Sequence, residues 1–527
     1  MYPQFKSGHY AWSKRGIVSD KSFLKSSAVV TAMTFLSRIL GLVRDYFVAR
    51  YFGANGLTDA FLVAFRIPNF LRRLFGEGAF SQAFVPILAE AKANHNEAEV
   101  QNVINHIGTK FLKVLVVLTL IAVIIAPVII FMFAWGFYFD ADPTKFNLAS
   151  DMLRITFPYL LLISLTAFAG SILNTYDRFA VPAFTPVLLN ISMILSAVYL
   201  SEHLETPIMA LAWGVLIGGI VQLLFQIPFL LKLKKMPSLV KGEHEAVQTL
   251  KKRLLPALFG VSVSQINLLI DTMIATVLVS GSVTWLYYSD RLLELPLALI
   301  GIALATVALA KLSNHYANQD EQKFIQTIDY ALKIGLLLGM PACAGLVLLA
   351  EPLLITLFQY DEFTPYAAQQ SSLSLIAYAA GLMAFITVKI LAPAFLARGD
   401  TKTPVKVGVI AMVSNVFLNI FFAYHYAHMG LAIATSLSAL INAILLYYYL
   451  SKGAIFRFSA DFMQIAFKVL LATIIMVTFI LNFNQTPYDY LNGDVWYRIL
   501  SIATIIGGSA LTYFASLWIL RVKLGRL

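Results

Sequence analysis

Charge is scarce in this sequence, and its scarcity excludes a class. Lys, Arg, Asp and Glu make up 13% of the 527 residues, where a soluble domain carries about a quarter. Too little polar surface is left to cover a water-exposed globule. Cysteine is nearly absent as well. The single Cys343 sits in an apolar run, so the chain cannot build a disulfide framework and a buried structural thiol is expected. There is no Walker loop, no Gly-rich dinucleotide fingerprint and no metal-ligand cluster, which argues against bound nucleotide as an energy source. Residues 1–25 are polar and basic rather than apolar, so the first spanning helix is expected to serve as its own insertion signal.

What the sequence has in abundance is apolar residues, 59% of the total, gathered in long blocks. Roughly 20 such residues cross a hydrocarbon core of about 30 Å, and that length recurs along the whole chain. Blocks starting near residues 25, 57, 104, 147, 181, 206, 248, 282, 323, 364, 402, 428, 460 and 493 predict an all-α polytopic membrane protein of about fourteen transmembrane helices. Several blocks exceed 30 residues, which implies tilt. The connections alternate in charge. Lys6, Lys14, Arg15, Lys21 and Lys25 precede the first span, and Lys232, Lys234, Lys235, Lys241, Lys251, Lys252 and Arg253 fill the longest internal basic stretch. Arg398, Lys402 and Lys406, and then Arg521, Lys523 and Arg526, follow the same rule. Between them lie Asp140 and Asp142, Glu202 and Glu205, and Glu351 with Asp361 and Glu362. Basic residues stay on the cytoplasmic side during insertion, so both termini are expected in the cytoplasm and the net charge of +11 follows. A nucleic-acid partner would need a basic face on a soluble domain, and none is present.

The two halves repeat. Ser37-Arg38-Ile39 begins a stretch reaching Pro68, and Ser264-Gln265-Ile266 begins one reaching Pro296. "LNTYDRFAVP" (Leu173 to Pro182) has its counterpart in "FLARGDTKTP" (Phe395 to Pro404) at nearly the same offset. Six helices per unit is an even number, so the repeats are parallel, with a substrate site expected between them. The expected organisation is a cytoplasmic segment 1–24, a six-helix lobe 25–235, a cytoplasmic linker 236–247, a second six-helix lobe 248–452, and two additional helices with a tail over 453–527.

Ionisable residues inside the spans are the functional signal, since each costs about 2.5–3.5 kcal/mol at the bilayer centre. The first span holds Arg38, Arg44, Asp45 and Arg50, and the second holds Asp59, Arg66, Arg72, Arg73 and Glu77. Asp59, Arg66 and Arg73 recur every seven residues and make one polar stripe, with Pro68 favouring a kink. The eighth span carries Asp290, Arg291 and Glu294 ahead of Pro296. Arginine exceeds carboxylate in the first two spans, and its planar fork matches phosphate oxygens bidentately. Such a cavity suits an anion, and a phosphate or pyrophosphate best. The alternative is salt bridging between helices, for example Arg44 with Asp59 or Arg291 with Glu294, while Arg72 and Arg73 could snorkel to headgroups. A second group comprises Asp271, alone among apolar residues, Asn415 and Asn419 at i,i+4, and Thr435. Their oxygens suit Na⁺, a lone protonatable Asp suits H⁺, and a hydrogen-bonded structural Asp is the plain alternative. Lys389 reads either way. His425 and His428 read as surface residues in a short loop.

Four segments resemble one family. They are "SRILGLVRDYFVARYFGANGLTDAFLVAFRIPNFLRRLFGEGAFSQAFVPILAE" (Ser37 to Glu90), "GVSVSQINLLIDT" (Gly260 to Thr272), "WLYYSDRLLELPLALIGIALAT" (Trp285 to Thr306) and "TKTPVKV" (Thr401 to Val407). Together they are similar to the MurJ/MviN lipid II flippases of the multidrug/oligosaccharidyl-lipid/polysaccharide exporter superfamily. The resemblance implies a transporter in the bacterial inner membrane, working by alternating access on undecaprenyl-pyrophosphate carrying the disaccharide-pentapeptide. It also implies contact with membrane lipids and cell-wall synthesis proteins. No cofactor is implied beyond Na⁺ or H⁺ coupling or the membrane potential. It places Arg38, Arg44, Asp59, Arg72, Arg73, Asp290, Arg291 and Glu294 on the central cavity, with Arg66 where some members have Lys and Thr284 where some have Ser. The cation site of some members would fall on Asp271, Asn415, Asn419 and Thr435, with Asn419 replacing a second carboxylate. A drug antiporter would favour an acidic cavity, a lipid-linked glycosyl transferase would want a large extramembrane loop, and a scaffold would not need charges at mid-membrane.

Overall fold

The computed structural model describes residues 20–73, 79–94, 96–140, 143–453 and 455–522, without the side chains of residues 20–27, 79 and 255–266. Glu77, Asp142, Lys523, Arg526 and the basic side chains before Ala28 therefore lie outside the described set. Every element among the described residues is helical. In a lipid environment each backbone N–H and C=O must be satisfied within its own segment, and the helix does that.

The first half runs through α1 (Asp20–Phe52), α2 (Gly56–Arg72), α3 (Ala79–Asn94), α4 (Glu97–Ile124), α5 (Ala126–Phe133), α6 (Trp135–Tyr138), α7 (Thr144–Thr156), α8 (Pro158–Thr175), α9 (Ala180–Leu195) and α10 (Met209–Lys232). The second runs through α11 (Glu245–Ala275), α12 (Ser282–Pro296), α13 (Ala303–Ala317), α14 (Glu321–Leu348), α15 (Ala350–Phe358), α16 (Pro365–Ala380), α17 (Leu382–Ala397) and α18 (Lys402–Lys452). Three more follow: α19 (Ala460–Phe483), α20 (Pro487–Asn492) and α21 (Val495–Ile519). Side-chain caps set several starts. Asn55 accepts from Leu57 and Thr58, Asp320 from Lys323, Ser459 from Phe462 and Asp494 from Tyr497.

Nine helices among the described residues are long and apolar enough to span a membrane, ten if the bent pair α16–α17 counts as one span. The sequence expectation is about fourteen. The difference falls on α1 and α11, parts of which lie outside the described side chains, on α2, which has 17 residues, and on α18. The last is continuous only in its hydrogen bonding. Ala427 has φ 48° and ψ −132°, and Ser438 Oγ donates to Ala411 O at 2.7 Å. Unbroken helix would hold residues 27 apart at about 40 Å, so α18 is a helical hairpin of two arms folded on each other.

The two segments matched in sequence share a backbone conformation. Arg178 N donates to Leu173 O with Asp177 at φ 59°, and Asp400 N donates to Phe395 O with Gly399 at φ 77°. Both are the same left-handed helix ending, which also closes helices at Lys234, Gln319 and Arg521. Within the first half α1 packs on α9, α9 on α10 and α2 on α7; within the second α12 packs on α16, α11 on α18 and α17 on α18. The halves meet where α2 touches α12 and where α11 lies against α3 and α4. The appended helices dock through Lys333 of α14, which pairs with Asp329 at 2.6 Å and with Asp461 at the start of α19.

Candidate functional site: a cationic cavity between two halves

A cavity of about 590 Å³ opens between the halves. Its wall carries Arg38, Arg44, Arg72, Arg73, Arg291 and Lys389 against the carboxylates of Asp45 and Glu294, a surplus of four positive charges. Asp59, Arg66, Thr284 and Asp290 are not on that wall. Behind Pro296 the chain continues as a π-helical turn, Leu297–Ile302, whose Leu297, Ala298 and Ile302 also face the cavity. Proline removes the backbone donor there, and such turns open the helix locally.

The centre of the wall is a carboxylate. Asp45 Oδ1 accepts from Arg44 Nη2 at 2.7 Å and Nε at 3.0 Å, and from the Tyr287 hydroxyl at 2.8 Å. Its other oxygen accepts from Arg291 Nε at 2.7 Å. Arg44 and Arg291 come from opposite halves, so one anion holds the two halves together at this depth. Arg44 is held further by Asn190 Oδ1 at 3.1 Å, and Arg291 by Glu294 Oε2 at 3.3 Å with the Tyr287 ring 5.5 Å away. The Arg291–Glu294 pair matches the bridge weighed from sequence. Arg44 pairs with Asp45 rather than Asp59, because adjacent residues on one helix let the long guanidinium fold back. Sequence reasoning did not single out for binding Asp45 and Asn190 on the wall, or Tyr287, whose hydroxyl bonds with Arg44 and Asp45. Asp45 carried a signal as the one carboxylate among the arginines of α1, whereas the partners of Asn190 and Tyr287 are distant in sequence.

Asp59 does different work. It is 2% exposed, and it accepts from Gly281 N at 2.6 Å, Thr284 N at 2.8 Å and Thr284 Oγ1 at 2.6 Å. A carboxylate from α2 thus caps the N-terminus of α12 in the other half, where the helix dipole also favours negative charge. The same end of the molecule is sealed by Arg50–Asp361 at 2.6 Å and by the Glu362 N–H to Arg50 O at 3.1 Å. Gly53, at φ 66°, fits there only without a side chain, since a Cβ would meet Glu362 O at 2.3 Å.

Asp271, Asn415, Asn419 and Thr435 do come together. Asn419 Nδ2 donates to Asp271 Oδ1 at 2.6 Å and to Asn415 Oδ1 at 3.0 Å, and Thr435 Oγ1 lies 3.4 Å from Asp271 Oδ2. Asn419 Oδ1 is buried without a hydrogen-bond partner. Asp271 also has a basic neighbour that the sequence concealed: Arg66 of α2 donates to the hydroxyl of Thr272 and lies within electrostatic range of Asp271 and Asp290. Asp290 is in turn within range of Arg291 and Arg73. No cluster of His, Cys, Asp and Glu suited to a metal ion occurs among the described residues. His425 is exposed, as expected, but His428 is 5% exposed, its Nε2 3.0 Å from Gln370 O and its ring 4.8 Å from Trp285. The hairpin turn folds His428 inward, which the loop reading missed.

Spanning helices arranged in two halves around a charged central cavity define the architecture of a polytopic membrane transporter. The family model described as "Lipid II flippase MurJ" matches residues 48–500, and the chain belongs to that family. It is 45% identical over 514 residues to a probable lipid II flippase MurJ of Vibrio cholerae serotype O1, covering 96% of this chain and 98% of that one. It is 38% identical over 511 residues to the lipid II flippase MurJ of Burkholderia cenocepacia, covering 95% and 98%. A solved lipid II flippase MurJ in an inward closed conformation superposes with a TM-score of 0.77 at 29% identity, covering 93% of this chain and 99% of that one. An inward-facing multidrug resistance transporter of the MATE family shares the fold at a TM-score of 0.68 and 15% identity.

Proposed function

We propose that this protein moves lipid II, undecaprenyl-pyrophosphate carrying the disaccharide-pentapeptide, from the inner to the outer leaflet of the bacterial cytoplasmic membrane by alternating access. The observation that carries the reading is the Arg44–Asp45–Arg291 bridge in a cavity with surplus positive charge. A pyrophosphate entering from the cytoplasmic side offers the two guanidiniums a second set of oxygens in the bidentate geometry they favour. As those oxygens displace Asp45, the bond between the halves at that depth is exchanged for bonds to the substrate. The substrate then has different contacts in the two states, which a ligand needs in order to shift their populations. Arg38, Arg72, Arg73 and Lys389 supply the surrounding field, and the polyprenyl tail stays in lipid.

The end bearing Asp59, Arg50 and Gly53 is the outer one in this reading, with both termini cytoplasmic and about fourteen spans in all. Its seam is closed while the cavity loads, and release outward requires Asp59 to leave the N-terminus of α12. The cluster around Asp271 offers a carboxylate, two amide oxygens and a hydroxyl. That is a hard-oxygen set fitting a monovalent cation, and the unpartnered Asn419 Oδ1 is the group a bound cation would satisfy. Asp271 alone could hold a proton. Cell-wall synthesis proteins are the expected partners.

The test is translocation in the parent membrane, read with an outside-only probe of the lipid II headgroup after depletion of the protein. Inner-leaflet accumulation that wild type reverses and Arg44→Ala does not supports both the function and the anion clamp. Unchanged outward lipid II on depletion removes the function, and full rescue by Arg44→Ala removes the clamp.

A further inference from the structure

Arg498 is a buried cation that the proposed cycle does not use. It lies in the first turn of α21 at 8% exposure, and its guanidinium donates to three backbone carbonyls: Gly493 at 3.1 Å, Leu491 at 3.0 Å and Gln359 at 2.9 Å. The first two belong to the approach to its own helix. The third belongs to the segment joining α15 to α16, whose Tyr360 ring lies 5.3 Å from the guanidinium carbon. Desolvating a guanidinium is costly unless it is hydrogen-bonded, so these three bonds tie the segment to α21.

That segment is also what α1 ends against. Tyr360 meets Tyr46 edge-on at 5.4 Å, Asp361 pairs with Arg50, the Glu362 N–H reaches Arg50 O, and Gly53 fits against Glu362 O. Gly53 opens the turn whose Asn55 caps α2, and Asp59 follows within the first turn of that helix. A continuous line of contacts therefore runs from the appended helix through residues 359–362 to the seam that Asp59 closes.

We propose that Arg498 is a positioning residue for the outer gate: it clips the α15–α16 connection to α21, so that the appended helices hold the outer seam shut and yield when it opens. This rests on the alternating-access reading and its orientation. A lysine could donate to some of the carbonyls but has no planar fork to reach all three while stacking on Tyr360, so the clip distinguishes arginine from lysine.

A cysteine on the cavity wall reports the gate. Ala298→Cys in a Cys343→Ala background is labelled in whole cells with a membrane-impermeant maleimide added outside, with Asp59→Ala as the variant that opens the seam directly. Arg498→Met is expected to raise the labelling rate roughly ten-fold, the scale set by losing a hydrogen bond from a charged donor on one side of a two-state equilibrium. Arg498→Lys should fall between, and Tyr360→Leu, which leaves the arginine in place, should shift labelling in the same direction. If Asp59→Ala raises labelling while Arg498→Met and Tyr360→Leu do not, the clip is wrong and alternating access stands. If Asp59→Ala also leaves labelling unchanged, the reading of the outer seam falls and the clip with it. Should Arg498→Met fail to accumulate, Arg498→Lys and Tyr360→Leu decide the matter.

Discussion

Asp45 is 2% exposed and binds two arginines that lie 247 residues apart in the sequence. Replacing it with asparagine keeps its shape and removes the charge, leaving Arg44 and Arg291 facing each other across the halves. Losing one partner of a buried charged cluster costs about 2–3 kcal/mol, so Asp45→Asn should unfold at a lower temperature in detergent. Inorganic pyrophosphate should then restore more stability to Asp45→Asn than it adds to the parent, because the vacated arginines bind it without competition. Equal melting temperatures with no differential response to pyrophosphate would count against Asp45 as the internal occupant of the clamp. At this scale the sequence displayed the arginine surplus and the charges of α1, α2 and α12. It did not display which carboxylate the arginines hold, because Asn190, Tyr287 and Arg291 reach the site only through the packing of α1 on α9 and across the halves. Asp59 and Thr284 illustrate the same limit: the family resemblance put them with the central cavity, while their contacts make a helix cap between the halves.

The helical hairpin of α18 shows what the apolar pattern could and could not reveal. Hydropathy separated a block near 402 from one near 428, and the fold turns between them at Ala427. Nothing in the residue types marked the turn's backbone, since alanine has no preference for φ 48°. The left-handed region costs a non-glycine residue about 1–2 kcal/mol, and glycine loses about 0.5–1 kcal/mol in chain entropy. Ala427→Gly is therefore expected to stabilise the protein by up to about 1 kcal/mol, read as a rise in the thermal midpoint. A fall in that midpoint would mean that the alanine methyl packs well enough to offset the strain. The matched segments of the two halves, by contrast, share a conformation. The Leu173–Pro182 and Phe395–Pro404 matches fall on helix endings of the same left-handed geometry, where Asp177 and Gly399 occupy the same place. The charged helices α1, α2 and α11 were legible as spans because their charges could be read as cavity-facing, and α2, at 17 residues, is too short to be recognised by length alone.

Across the whole molecule the question is what drives the cycle, and the two candidate sources act in different places. In the proposed cycle the cavity arginines stay near mid-membrane while access alternates, so the charge that crosses the field is the substrate's. A potential negative inside favours outward movement of an anion by about 2.3 kcal/mol per charge per 100 mV. Collapsing the potential with an ionophore should therefore slow the outward appearance of lipid II even when Na⁺ and pH are held constant. The Asp271 cluster acts separately. In this structure Asp271 already accepts from Asn419 and lies beside Thr435 and Arg66, so binding a cation requires the Asn419 amide to turn its unpartnered oxygen toward the carboxylate. Asp271→Asn removes the charge that would reward that turn and leaves the cavity wall intact. We expect Asp271→Asn to keep the dependence on membrane potential and to lose any dependence on Na⁺ or on external pH, measured by outward lipid II labelling in cells at clamped potential. If Asp271→Asn instead abolishes flipping at every potential, the cluster serves the packing of α11 on α18 rather than an ion site. If the parent shows no potential dependence at all, the moving charge is not the substrate's, and the arginine-rich elements themselves must cross part of the field.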